Sequence, residues 1–204
     1  ELSQELGVAI PQARVAVLVG TKLSPTAPWD GEPELKSLGL SLKTLWGHMA
    51  WQLGGYNAYK VVQRADETGV APGEELREVL QMAAPCVILI DELVAYGRKL
   101  TKGIPGGTLE SNLSFVQTLT ELAKATPGVV VAASIPESEM EIGGVQGEQV
   151  LRRFEQTFGR LETPWAPVQA LEAFEVVRRR LFERVDPGAR DQAAAAFTKY
   201  YREN

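Results

Sequence analysis

The chain has 204 residues, 45% hydrophobic and 23% charged, and its 21 basic and 26 acidic residues leave a net charge of −5. No apolar run approaches the roughly 20 residues that span a bilayer. The single cysteine, Cys86, excludes an internal disulfide, and the acidic balance supplies no global pull toward nucleic acid or anionic membrane. What is left is one sizeable core with room for a small subdomain, in a reducing compartment, with cytoplasm as the expected location and no membrane partner.

The sequence starts at Glu1, with neither an initiator methionine nor a signal-peptide pattern, and reads as a piece of a longer polypeptide. Residues 1–6 suggest the end of a helix. Residues 14–19, RVAVLV, are β-rich and almost continuously apolar, as expected of a parallel-sheet strand buried on both faces. Residues 20–39 carry Pro25, Pro28, Gly31 and Pro33 and predict a long loop. Helices are expected over 41–53 and 55–67, on either side of Gly54 and Gly55, and over 72–82, where Leu76, Val79 and Leu80 recur at helical spacing before Pro85.

A second buried strand, CVILI at 86–90, runs into Asp91 and Glu92. After a Gly/Pro loop at 103–107, residues 111–125 set Leu113, Val116, Leu119 and Leu122 on one helical stripe. Pro127 and Gly128 then turn the chain into a third strand at 129–133. From Gly147 onward the pattern is helical and charged: a helix over 148–158, an extended piece at 160–163, and helices over 167–183 and 190–202. Strand, helix, strand, helix, strand predicts an α/β fold with helices on both faces of a parallel sheet, over residues 1–163, followed by a helical subdomain over 164–204.

The sharpest chemical signal is the aliphatic strand ending in Asp91 and Glu92. Ligands of parallel α/β sheets sit beyond the carboxyl ends of the strands. The pair resembles a Walker B motif, in which the Asp holds Mg²⁺ and the Glu polarises the attacking water. The plain alternative is an acidic pair capping the next helix. Ser134, at the tip of the next strand, stands where ATPases with an additional strand place a sensor of the γ-phosphate; taken alone, it would read as the start of a turn. Arg153-Phe154 with Phe158-Gly159-Arg160, leading into residues 161–163 and a helical pair, resembles the arginine-finger and lid arrangement of AAA+ proteins; that resemblance makes Arg160 the first choice for a finger and Arg153 the second, although most arginines in charged helices are merely solvated.

Several strings then carry a specific resemblance: PCVILIDELVAYGRKL, GGTLESNLSFVQTLTELAKA, VVVAASIPESEMEIGG and RRFEQTFGRLETPW, with VAVLVGTKLSP and TLWGHMAWQLGG before them and FEVVRRRLF after. They resemble the bacterial and archaeal DUF499 family of predicted AAA+ ATPases. The resemblance implies a three-layer P-loop core with a C-terminal helical lid. It also implies bound ATP and Mg²⁺, a much larger protein that forms homo-oligomers, and links to DNA modification or defence. On this reading Asp91 binds the metal, Asp91 and Ser134 contact the nucleotide, and Glu92, Ser134, Arg160 and Arg153 are the catalytic set.

One part of the pattern is missing. No G-x-x-x-x-G-K-[ST] occurs; residues 20–24 lack the first glycine and the Gly-Lys order, and residues 103–108 lack the lysine. The first strand and its phosphate loop are therefore expected upstream, beside the strand at 129–133, whose edge would otherwise be unpaired. A non-catalytic regulatory or scaffolding module is the rival reading. A Mg²⁺-dependent nuclease using Asp91, Glu92 and Glu137 or Glu139 is weaker, because no basic surface accompanies the acids. The lone His48 rules out a histidine-based metal site and reads as a packing residue, as do Cys86 and the four tryptophans. The run Arg178 to Arg180 could touch DNA, but reads as a solvated helix face paired with glutamates.

Overall fold

A computed structural model describes residue 7 and residues 12–135, 144–158 and 170–203. The chain divides into two compact units, Glu1–Glu162 and Thr163–Asn204. In the first, the order is β1 (Arg14–Val19), α1 (Pro33–Leu38), α2 (Leu45–Thr68), α3 (Glu74–Ala83), β2 (Cys86–Asp91), α4 (Leu93–Gly97), α5 (Leu109–Ala125), β3 (Val129–Ala133) and α6 (Gly144–Phe158). The second unit contains α7 (Ala170–Leu181) and α8 (Pro187–Glu203). The expected helix end at 1–6 and the extended piece at 160–163 lie outside the described residues.

The three strands form one parallel sheet in the order β1-β2-β3. Arg14 stands opposite Cys86 and Val19 opposite Asp91, while Cys86 stands opposite Val129 and Ile90 opposite Ala133. Both crossovers step in the same direction across the sheet, and right-handed connections then place their helices on one face. On that face Ala16, Leu18, Cys86, Ile88, Ile90 and Val129 are buried. They pack with Trp46 and Met49 of α2, Leu76 and Leu80 of α3, Phe115 and Leu119 of α5, and Phe154 of α6.

The other face departs from the sequence expectation. Val15 is 48% exposed, Val17 44%, Leu89 39% and Val130 55%. Among the described residues the helices cover one side of the sheet, so the predicted layer on both faces is not present. A nearly continuous apolar run is the pattern of a strand covered twice, and the described residues supply one of the two covers.

Local signals explain the helices. Thr44 caps α2, its hydroxyl accepting from the Gly47 N–H at 3.1 Å, and Thr108 with Ser111 forms a capping box at the start of α5. The predicted break in α2 falls at Gly54 and Gly55; Gly55, at φ 58° and ψ −146°, holds a conformation that a side chain would not tolerate. The long loop is fixed to α2 by a second cluster of Leu35, Leu42, Trp51 and Tyr59, and by the Trp51 indole donating to Glu32 at 2.7 Å.

Beneath this loop Asp66 is fully buried. Its carboxylate accepts from the Thr44 hydroxyl at 2.6 Å, the Thr44 N–H at 2.9 Å, the Tyr59 hydroxyl at 3.0 Å and the Lys43 N–H at 3.2 Å. Burial pushes its pKa up, and these hydrogen bonds oppose the rise. In the second unit, Glu175 pairs with Arg178 at 2.5 Å and Arg179 at 3.0 Å, which holds its carboxyl down at about 2. Two of the three consecutive arginines are thus engaged on their own helix face. No described helix is long and apolar enough to cross a membrane.

Candidate functional site

The carboxyl ends of the three strands meet. The alternation that buries Ile88 and Ile90 turns Asp91 to the same side as Val87 and Leu89, the open face. The Asp91 Oδ1 accepts from the Glu92 N–H at 3.0 Å and also from the hydroxyl of Ser134, just past β3. The Ser134 N–H donates to the Ile90 carbonyl at 2.9 Å, which carries the ladder one residue beyond β3 and fixes the serine at the strand tip.

Glu92 is the only described non-glycine residue with positive φ, at 53°. Its carbonyl accepts from the Ala95 N–H at 3.0 Å and the Tyr96 N–H at 3.3 Å, so the backbone turns sharply into α4. Gly20 fits beneath this turn because a Cβ there would fall on the Glu92 carbonyl. Although Glu92 occupies the N-cap position, its side chain makes no capping hydrogen bond. Instead its carboxylate accepts from the Thr21 hydroxyl. The helix-capping alternative is therefore not what this side chain does.

Sequence reasoning brought Asp91, Glu92 and Ser134 to one place and missed Thr21. Thr21 stands two residues past β1, and its partner Glu92 is 71 positions away, so no local pattern marks it. Lys22 and Leu23 both donate N–H to the Val19 carbonyl at 3.0 Å, forming a turn, and the Lys99 ammonium reaches the Gly20 carbonyl at 3.5 Å. The segment 20–24 is a turn and not a phosphate cradle. The loop 103–108 is likewise structural: the Gly106 N–H donates to Pro25 at 2.7 Å and its carbonyl accepts from the Asn112 amide at 3.0 Å.

Arg153 donates to Glu110 at 3.0 Å, both side chains solvent-exposed, and this contact holds the Glu110 carboxyl below its usual range. Arg160, Glu137 and Glu139 lie outside the described residues. His48 is buried beside Trp29, with ring centroids 5.6 Å apart, and burial lowers its pKa to about 4. Cys86 is buried and its thiol is pushed up, as a packing residue would be.

The donors around Asp91 are two carboxylates and two hydroxyls, all hard oxygens suited to Mg²⁺. No group of three or more His, Cys, Asp or Glu residues is set to hold a metal among the described residues.

A stretch of 69 residues is 39% identical to the ATP-dependent zinc metalloprotease FtsH of Thermus thermophilus, covering 32% of this chain and 11% of that protein. No solved structure matches the chain. Residues 4–158 match the DUF499 N-terminal domain, and with most of its length accounted for in this way, the chain belongs to the DUF499 family.

Proposed function

We propose that this chain carries the metal- and γ-phosphate-facing half of an AAA+ type ATP site within a larger cytoplasmic protein. The observation that carries the reading is the Ser134–Asp91 hydrogen bond across neighbouring parallel strands, with Glu92 adjacent. In the proposed site Asp91 holds Mg²⁺, which supplies charge neutralisation to the phosphates when bound. Ser134 hydrogen-bonds the γ-phosphate or the attacking water, and Glu92 orients that water and takes its proton. Arg160, or failing it Arg153, stabilises charge on the γ-phosphate of a neighbouring subunit in a homo-oligomer. Loops 20–24 and 103–108 provide no phosphate cradle, so the reading assigns that part to polypeptide outside this chain. The partial likeness to FtsH supports an AAA+ relationship.

The test uses the complete translation product of the gene. Glu92→Gln is expected to keep nucleotide binding and lose turnover, and Asp91→Ala to lower both. Wild-type hydrolysis by Glu92→Gln would remove the assignment.

A non-catalytic module is the second reading, favoured by the Thr21 hydroxyl, which occupies the Glu92 carboxylate that would otherwise face a water. Nucleotide binding without turnover in the unaltered complete protein would support it.

A further inference from the structure

The outer edge of β1 carries a bond pattern that the fold alone does not require. The Arg14 N–H donates to the Pro85 carbonyl and the Gly20 N–H to the Asp91 carbonyl, so the even-numbered residues of β1 bond to β2 while Val15, Val17 and Val19 turn their backbone groups outward. Gln52 of α2 lies along the middle one. Its Oε1 accepts from the Val17 N–H at 2.7 Å and its Nε2 donates to the Val17 carbonyl at 3.1 Å. The Val19 carbonyl is taken by the N–H groups of Lys22 and Leu23. No two neighbouring outward positions therefore stay open to an incoming strand.

A carboxamide is the side-chain group suited to this task. It holds a donor and an acceptor in one plane, as a peptide bond does, whereas a carboxylate lacks the donor and an ammonium the acceptor. Gln52 is itself exposed, between Trp51 and Leu53, which are buried. An exposed glutamine on a helix is ordinarily solvated, and water would satisfy the Val17 groups while leaving the side chain its rotamer freedom. What water cannot do is keep out a strand.

The edge itself identifies the strand to be kept out. RVAVLV is β-branched and apolar, with neither proline nor glycine and its single charge at the first residue, a composition that pairs readily when an edge is open. A second copy presents the same six residues. In a two-fold antiparallel pair centred on Val17, each Val17 would exchange both backbone bonds with its counterpart, and those are the two groups that Gln52 holds. We propose that Gln52 is an edge stop: its carboxamide occupies the central register position of β1 and denies it to the β1 strand of a second copy of this chain. The inference does not rest on the nucleotide reading.

Hydrogen–deuterium exchange at single-residue resolution tests it in the complete translation product of the gene, as the natural protein and as Gln52→Met, which keeps the side-chain length and removes both bonds. In dilute solution the Val17 amide of the variant is expected to exchange at least about 10-fold faster than in the natural protein, with Ala16 and Leu18, which bond to β2, unchanged. An unchanged Val17 rate overturns the proposal. So does equal acceleration at Ala16 and Leu18, since Gln52 would then support the fold and not the edge.

In concentrated solution the variant is expected to regain protection at Val17 and to sediment as a larger species than the natural protein, whose Val17 rate stays constant over the same range. A variant whose Val17 exchanges fast at every concentration, with no larger species, overturns the stop, because no second copy then takes the open edge. Gln52→Ala removes the same two bonds and takes the place of Gln52→Met if the latter alters the circular dichroism.

Discussion

The hydroxyl of Ser134 donates to the Asp91 carboxylate from the tip of the neighbouring strand, while the Thr21 hydroxyl donates to Glu92 from the strand on the other side. Each acid of the pair therefore has its own hydroxyl partner, and the two should respond differently when that partner is removed. In the complete protein, Ser134→Ala is expected to lower ATP turnover 10-fold or more, the usual scale for losing one positioned donor. Thr21→Val frees the Glu92 carboxylate without touching Asp91, so nucleotide affinity is expected to stay within about 3-fold while the turnover rate changes. Equal effects of the two substitutions on affinity and rate would show that the four groups act as one structural cluster.

The 204-residue chain alone is expected to bind Mg-ATP with a dissociation constant no tighter than about 1 mM, because hydroxyls and carboxylates supply contacts for the metal and γ-phosphate only. Isothermal titration measures it. Micromolar affinity would mean that residues 20–24 rearrange into a phosphate cradle.

Asp66 is the strongest structural anchor of the long loop. Asp66→Ala would leave the Lys43 and Thr44 N–H groups and the Tyr59 hydroxyl buried without their acceptor. The expected loss is about 2–4 kcal/mol, the cost of orphaning several buried donors. Urea unfolding reads it, and a loss under 1 kcal/mol would show that water replaces the carboxylate.

His48 makes stability depend on pH. Burial lowers its pKa from 6.5 to about 4, so between these values the unfolded chain binds a proton that the folded chain does not. Its contribution is fully present above pH 6.5 and is lost as pH falls toward 4, up to about 3 kcal/mol. Asp66, whose pKa is raised, acts in the opposite sense, so the measurement is a difference. Urea unfolding between pH 7 and 4.5 should show a steeper fall for the natural chain than for His48→Gln. Parallel curves would mean that His48 is protonated in the folded state.

How much of this could be read beforehand depended on the distance between partners. The strands, the acidic pair and the break at Gly54 and Gly55 are local patterns, and each was legible. Ser134 was legible through its order after β2. Thr21 and Gln52 were not, because each acts on a residue far along the chain, Glu92 at 71 positions and Val17 at 35. Asp66 was hidden for another reason: an acid within a helix reads as solvated until the loop that buries it is placed. The open face was illegible because RVAVLV looks the same whether one layer covers it or two.

The spacing of the contacts made by β1 also orders its assembly. Val17 meets Gln52 at a separation of 35 residues, whereas Thr21 meets Glu92, beside the partner strand, at a separation of 71. Closing the longer loop costs about 0.6 kcal/mol more, since each doubling of length adds that much. During synthesis Gln52 also leaves the ribosome long before Cys86–Asp91 does. The Gln52 contact therefore closes the shorter loop of the two. The side chain that caps the outer edge of β1 is, along the chain, a nearer partner than the strand β1 pairs with.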